Sequence, residues 1–319
     1  MGTTVKRLGP VAGPRQAASS LGRPRLATPA APGPLRTTGQ ALGRLLGSLV
    51  RPRPPAAPPR SSYCYLGDNR ALALTHRGDM IYLDTRDIGM TPHIALHGTW
   101  EDEVETALAG LVKPRQRVIE VGANMGYHTV ALARAIGPGG DLHAIEANPQ
   151  ALELLRATLT VNGLNEVVSV HPVAALDSTG EVEFAADPHH IGSGHWALAA
   201  GAENYSTRFT VPAVTLDGLL LDRLGRVDLL RMDAEGSEPQ VLRGAAQLIA
   251  NSPNLRIVTE WSPGMMVVRT DIAALVGWLE GQGFRFWRIG RFGRLDAVPA
   301  HHLVALAHCD LVMSRQDPA

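Results

Sequence analysis

From residue 61 onward, apolar and polar positions alternate with two different periods. Ala71-Leu72-Ala73-Leu74-Thr75 and Met80-Ile81-Tyr82-Leu83-Asp84 flank His76-Arg77-Gly78-Asp79, an arrangement that predicts a hairpin closed by a Gly-containing turn. Between Glu101 and Val112 the apolar positions Val104, Leu108 and Leu111 approach helical spacing, and Pro114 stops that helix. Strand and helix patterns then take turns. Arg117–Val121 reads as a strand, Tyr127–Ile136 as a helix, and Gly137-Pro138-Gly139-Gly140 as a break. Asp141–Ala147 is the second strand and Pro149–Val161 a helix, with Asn148 as N-cap and Pro149 in the first turn. Val167–Ala175 is the third strand, and Glu181-Val182-Glu183-Phe184 suits an added hairpin. Asp187–Gly201, rich in His and Gly, reads as a loop. Val227–Met232 predicts a buried strand, Glu238–Ala250 a helix, Leu255–Thr259 a strand and Asp271–Leu279 a helix. Arg285–Ile289 and Cys309–Ser314 are extended. Strands alternating with helices of this length predict an α/β chain with a doubly wound parallel sheet covered on both faces.

Residues 1–60 have a different texture. They hold ten Lys or Arg, no Asp or Glu, eleven of the 23 prolines and no aromatic residue. Such a segment buries too little apolar surface to offset its ordering entropy, so a disordered basic arm is expected. The formal balance of zero over 319 residues therefore hides a net of −10 in the 259 residues that follow. Those residues suffice for one domain with a substantial core. Two cysteines and no CxxC exclude a disulfide scaffold or structural zinc. No run of 18 apolar residues and no signal-peptide pattern is present, which predicts a cytoplasmic chain without a transmembrane segment. The short apolar stretch Ala41–Val50, interrupted by Gly and Arg, reads as linker. The arm lacks aromatics to stack on bases, so no specific nucleic-acid partner is expected.

In a doubly wound sheet, ligands bind at the carboxyl ends of the strands near the switch point. The first strand ends in Glu120-Val121-Gly122-Ala123-Asn124-Met125-Gly126 and a helix follows at once. Gly122 and Gly126 permit a tight turn and a close backbone approach. A dinucleotide site would want G-x-G-x-x-G with the diphosphate on the helix N-terminus, whereas E-x-G-x-N-x-G puts an acid at the turn entrance. Glu120 there is a poor neighbour for pyrophosphate and a good one for the ammonium group of S-adenosylmethionine. Glu146, at the tip of the second strand, suits both ribose hydroxyls of either cofactor. Adenine contacts are expected from the end of the third strand, Pro172 to Ala174.

These residues resemble the FkbM-type methyltransferases, S-adenosylmethionine-dependent enzymes that mostly methylate hydroxyl oxygens. The similarity runs from about Gly98-Thr99-Trp100-Glu101 to about Trp261. It is carried by Val121–Thr129, by Thr215-Leu216-Asp217-Gly218-Leu219 and by Asp228-Leu229-Leu230-Arg231-Met232-Asp233-Ala234-Glu235-Gly236-Ser237-Glu238. The resemblance implies a Rossmann-like class I methyltransferase sheet over residues 99–319. Residues 61–98 then form a β-rich hairpin and helix extension, and residues 1–60 have no counterpart. It implies S-adenosyl-L-methionine held by Glu120, Gly122, Asn124, Gly126, Glu146 and Ala174, and a small-molecule or glycan acceptor.

Asp233 and Glu235 close the fourth strand, where a carboxylate can orient an acceptor hydroxyl or take its proton. Either could instead cap the helix near Ser237. Asp217 reads as a helix cap. Glu101 faces the cofactor or is a solvated first-turn acid, and His128 reaches the cleft or packs. Glu260, ending the next strand, is a candidate acceptor contact. His189, His190 and His195 lack metal-ligand spacing, and no metal is expected. His195 and Trp196 suit an acceptor-binding lid or a plain surface loop. Two other classes remain open: a nicotinamide-dependent oxidoreductase on the same fold, and a non-catalytic scaffold tethered by its basic arm.

Overall fold

A computed structural model describes residues 62–318 except 188 and 197–206, with only the backbone described at 193–196. The basic arm, its apolar stretch and part of the expected His-rich loop lie outside the described residues. The hairpin of the N-terminal extension forms with a third strand beside it: β1 (Tyr63–Gly67), β2 (Arg70–Leu74) and β3 (Met80–Asp84) make an antiparallel sheet. Ala71, Ala73, Ile81 and Leu83 alternate inward and are fully buried, as period two requires. Helices α1 (Met90–His97) and α2 (Asp102–Leu111) follow.

Next come β4 (Arg117–Val121), α3 (Tyr127–Ile136), β5 (Asp141–Ile145) and α4 (Pro149–Val161). Asn148 caps α4, its Oδ1 accepting from the Gln150 N–H at 3.0 Å. The expected third strand divides at Pro172, which has no N–H for a ladder. Its first part is β6 (Val168–His171), in the main sheet. Its second part is β7 (Ala174–Ala175), in a separate sheet with β8 (Gly180–Asp187), β9 (His190–Trp196) and β10 (Thr207–Val214). The His-rich segment is thus a strand antiparallel to β8 rather than a loop. Its glycines and polar residues hide a propensity that cross-strand pairing supplies.

The remainder comprises α5 (Leu216–Leu224), β11 (Leu229–Met232), α6 (Glu238–Gly244), α7 (Ala246–Ala250), β12 (Arg256–Trp261), α8 (Pro263–Met266), α9 (Ile272–Gly281), β13 (Arg285–Ile289), β14 (Leu295–Val298) and β15 (Cys309–Ser314). The single helix expected at 238–250 is broken at Ala245, whose φ of −111° and ψ of 14° are not helical, and a Cβ on the preceding Gly244 would lie 2.0 Å from the carbonyl of Leu176. Asp217 does cap a helix, though not its own: Thr215 caps α5, while Asp217 accepts from the Gln247 and Leu248 N–H groups of α7 at 2.8 Å each.

The main sheet has eight strands in the order β14-β13-β15-β12-β11-β4-β5-β6. It is mixed rather than wholly parallel, because β15 runs antiparallel to both β12 and β13, and β14 antiparallel to β13. β14 and β15 are reached through 3-10 turns, not through crossover helices, whereas α9 leads into β13. Both faces are nevertheless covered. Val118, Leu142, Leu229 and Val258 pack in one apolar cluster with α3 and α4. Ile119, Leu230, Ile257 and Met313 pack in another with α5, α6 and α9. Strand order reverses between β4 and β11, so the switch point lies at their carboxyl ends.

Candidate active site

At the switch point, a cleft of about 860 Å³, counting space open to solvent, runs across the ends of β4, β5 and β11. The turn after β4 is pressed against the turn after β11. Gly122 has φ +77°, and a Cβ there would lie 1.9 Å from the carbonyl oxygen of Asp233. Gly126, at φ +93°, makes room instead for α4, since a Cβ would meet Leu155 at 2.8 Å. It does not line the cleft. Asn124 does, with φ +50°, and its backbone N–H donates to Glu146 Oε2 at 2.7 Å.

Glu146 is buried in the cleft wall. Its second oxygen accepts from the Asn148 N–H at 2.7 Å, and the Ala147 N–H also supports the carboxylate, which leaves part of its acceptor capacity for a ligand. Burial pushes Glu146 up to about 7, against the Asn148 and Asn124 N–H groups that favour its charged form. Val173, Ala174, Leu176 and Phe184 supply an apolar part of the cleft lining. The roof comes from two additions to the sheet. Met90 of α1 meets Asn124 Nδ2 at 3.1 Å, and Ile191 and Gly192 of β9 lie opposite. Asp87 clasps these additions, accepting from the Thr91 N–H at 2.7 Å and the Ile191 N–H at 3.3 Å.

Across the cleft, Asp233 lies beside Arg231, a residue to which sequence reasoning gave no role. The Arg231 side chain is 7 % exposed. Its Nη1 donates to the Gly122 carbonyl at 3.0 Å and its Nη2 to Asp233 Oδ2 at 3.1 Å. Glu101 and Glu120 each stand 3.8 Å from it. The signal was present in the sequence: a cation inside the otherwise apolar strand Leu229-Leu230-Arg231-Met232 demands acidic partners. Burial pushes Asp233 up, and Arg231 pulls it down.

Glu120, expected at the entrance of the turn, lies within β4 with its side chain fully buried and not among the residues lining the cleft. Glu101, at φ +50° ahead of α2, bonds His128 Nε2 through Oε2 at 3.0 Å. His128 lines the cleft and Glu101 does not. Burial works to raise Glu101, but the His128 hydrogen bond and the charges of His128 and Arg231 hold it below the ordinary range. Trp100 completes that end of the cleft.

Glu235 and Glu260 lie off the cleft lining, among further acids. Burial and mutual repulsion push Glu235 to about 8, Glu238 to about 7, Glu260 to about 10 and Asp310 to about 7. Glu238 rather than Glu235 caps the turn, accepting from the Ala234 N–H at 2.7 Å. His308 approaches Glu260 at 3.5 Å. The backbone of His195 and Trp196 pairs with Ala185 and Phe184, and their side chains are outside the description. Among the described residues, no group of three or more His, Cys, Asp or Glu is arranged to hold a metal ion.

The cleft suits a nucleoside bearing a cationic, phosphate-free tail. It offers an acid with spare acceptor capacity, an apolar slot and an electronegative far end. Its one buried guanidinium side, on Arg231, is already bonded to Gly122 and Asp233.

A family model described as the methyltransferase FkbM domain matches residues 120–286. Among curated proteins, a catechol O-methyltransferase of Mycobacterium tuberculosis is 31 % identical over 133 residues, 42 % of this chain and 56 % of that protein. A protein-L-isoaspartate O-methyltransferase of Aeropyrum pernix is 38 % identical over 78 residues, 24 % of this chain and 28 % of that protein. The chain therefore spans little more than half of the first relative and under a third of the second. Among solved structures, the O-methyltransferase TomG of Streptomyces achromogenes in complex with S-adenosylmethionine superposes with a TM-score of 0.38 at 19 % identity, covering 67 % of this chain and 78 % of that one.

Proposed function

The chain belongs to the FkbM methyltransferase family, whose methyl donor is S-adenosylmethionine, and from that premise we propose that it methylates a hydroxyl oxygen of a glycan or secondary metabolite. One juxtaposition carries the reading. Glu146 and Asp233 face a single cleft from opposite sides of the switch point, with the Gly122 turn between them. When bound, the cofactor supplies an electrophilic methyl group on a sulfonium centre. Glu146 would hold the ribose hydroxyls through its spare acceptor capacity, and the Val173–Leu176 segment with Phe184 would flank the adenine. Gly122 and Asn124 would receive the amino-acid end.

On the acceptor side, Asp233 orients the hydroxyl and accepts its proton as the oxygen attacks, which makes positioning and proton removal the chain's own contribution. Trp100 gives an aromatic face for a sugar or planar ring. The names of the two curated relatives, both O-methyltransferases, favour oxygen over nitrogen as the acceptor atom.

Calorimetry with S-adenosylhomocysteine tests the cofactor half; failure to bind sinks it. Labelled S-adenosylmethionine incubated with extract fractions, followed by identification of the labelled product, tests the acceptor half. A product labelled on nitrogen or on a protein chain would overturn it.

A further inference from the structure

We infer that Arg231 is a positioning residue that joins the two halves of the cleft, fixing the Gly122 turn with one guanidinium nitrogen while the other holds Asp233 as a charged carboxylate turned toward the acceptor. This inference rests on the S-adenosylmethionine reading. The geometry is specific: Nη1 to the Gly122 carbonyl at 3.0 Å, Nη2 to Asp233 Oδ2 at 3.1 Å, and two further carboxylates, Glu101 and Glu120, each 3.8 Å away. Arg231 is planar and forked, so it can bond two acceptors in fixed directions, which a lysine cannot do.

Asp233 needs that partner. The groups around it are mostly acids: Glu101 ahead of α2, Glu120 on β4, Glu146 after β5, Glu235 and Glu238 beyond β11, Glu260 on β12 and Asp310 on β15, with His128 on α3. Burial and these neighbours oppose ionisation of Asp233, and Arg231 opposes them. Without the guanidinium, Asp233 would lose the foremost group that favours its charged form and would be a poorer acceptor of a hydroxyl proton.

The test requires no acceptor. Sinefungin carries an amine where S-adenosylmethionine carries its methyl group, so its affinity relative to S-adenosylhomocysteine reports negative charge at the methyl position. Calorimetry at pH 7.5 should show about a tenfold preference for sinefungin in the native protein, declining as pH falls. Asp233→Asn should abolish the preference. Arg231→Met combined with Glu120→Gln avoids stranding the fully buried Glu120 carboxylate; it should also abolish the preference, with S-adenosylhomocysteine affinity within about tenfold of native. Arg231→Lys should keep part of it, and Glu120→Gln alone all of it.

An unchanged preference in the double variant overturns the inference, as does parallel loss of both ligands with the fold intact. So does a native protein without preference. Carboxyl 13C titration of Asp233, assigned through Asp233→Asn, gives a readout independent of ligand. Its midpoint should rise in the double variant, and no rise overturns the inference. Failure of S-adenosylhomocysteine to bind the native protein would instead condemn the cofactor reading.

Discussion

Gly122 leaves no room for any side chain, because its neighbour is the Asp233 backbone, which cannot rotate away. Positive φ adds to that cost. Gly122→Ala should therefore destabilise the fold by about 3 kcal/mol or more, seen as a lowered unfolding midpoint in urea. For this reason Gly122 variants are unsuitable for probing cofactor binding, and Glu146 serves better. Glu146→Ala removes the acceptor of the Asn124 and Asn148 N–H groups as well as any ribose contact. It should weaken S-adenosylhomocysteine binding by roughly 10–100-fold in calorimetry. Glu146→Gln, which keeps an acceptor, should lose less. Two acids that look alike in sequence thus differ in kind: Glu146, just past its strand, faces the cleft, whereas Glu120, inside its strand, faces Arg231 below the turn.

Among the elements, β4, α3 and α4 begin and end where the sequence pattern places them, since their signals are local. Asn148 with Pro149 opens α4, and Gly137 closes α3. Elements that depend on distant partners were illegible. In β10, Phe209, Val211 and Ala213 alternate, but Pro212 argues against a strand. Proline is tolerated there because β7 pairs only with Ala213 and Val214, leaving β10 with one neighbour at that position. The strand β3 raises a different problem, an open edge. Side chains of α4 close it: the Met80 N–H donates to Asn162 Oδ1 at 3.1 Å, Asn162 Nδ2 donates to the Met80 carbonyl at 2.6 Å, and the Tyr82 N–H donates to Thr158 Oγ1 at 3.0 Å. Asn162→Leu should cost about 1–3 kcal/mol, measurable by thermal unfolding, and should increase aggregation on heating.

Across the whole molecule, titration behaviour follows from acids gathered where the sheet ends. Glu146, Glu235, Glu238, Glu260 and Asp310 have folded values raised to between about 7 and about 10. The unfolded chain releases those protons near the ordinary carboxylate range, so the stability they contribute is complete below it and is lost as pH rises through the folded values. The buried His143 and the half-buried His171 act oppositely. Burial lowers both, so their contribution is lost as pH falls below the ordinary histidine range. The five acids outnumber the two histidines, so thermal stability should decline from about pH 5 steadily toward about pH 9. Glu260→Gln should flatten the alkaline side; a flat profile in the native protein would contradict the arrangement. That cluster was only partly legible, because Asp310 lies on a strand whose place beside β12 is a matter of topology and not of local pattern.

The contact between Gly122 and Asp233 also bears on how this chain could be recombined with its relatives. Two turns that meet backbone to backbone must be inherited as a matched set, although most of the family domain separates them along the chain. A chimera whose crossover falls anywhere between them brings together loops shaped by different parents. One whose crossovers fall before β4 or after α6 keeps the pair intact. Libraries built by exchanging segments should therefore recover folded offspring mainly from the second class, and the roof, assembled from α1 and β9, can be exchanged only if Asp87 travels with its partners.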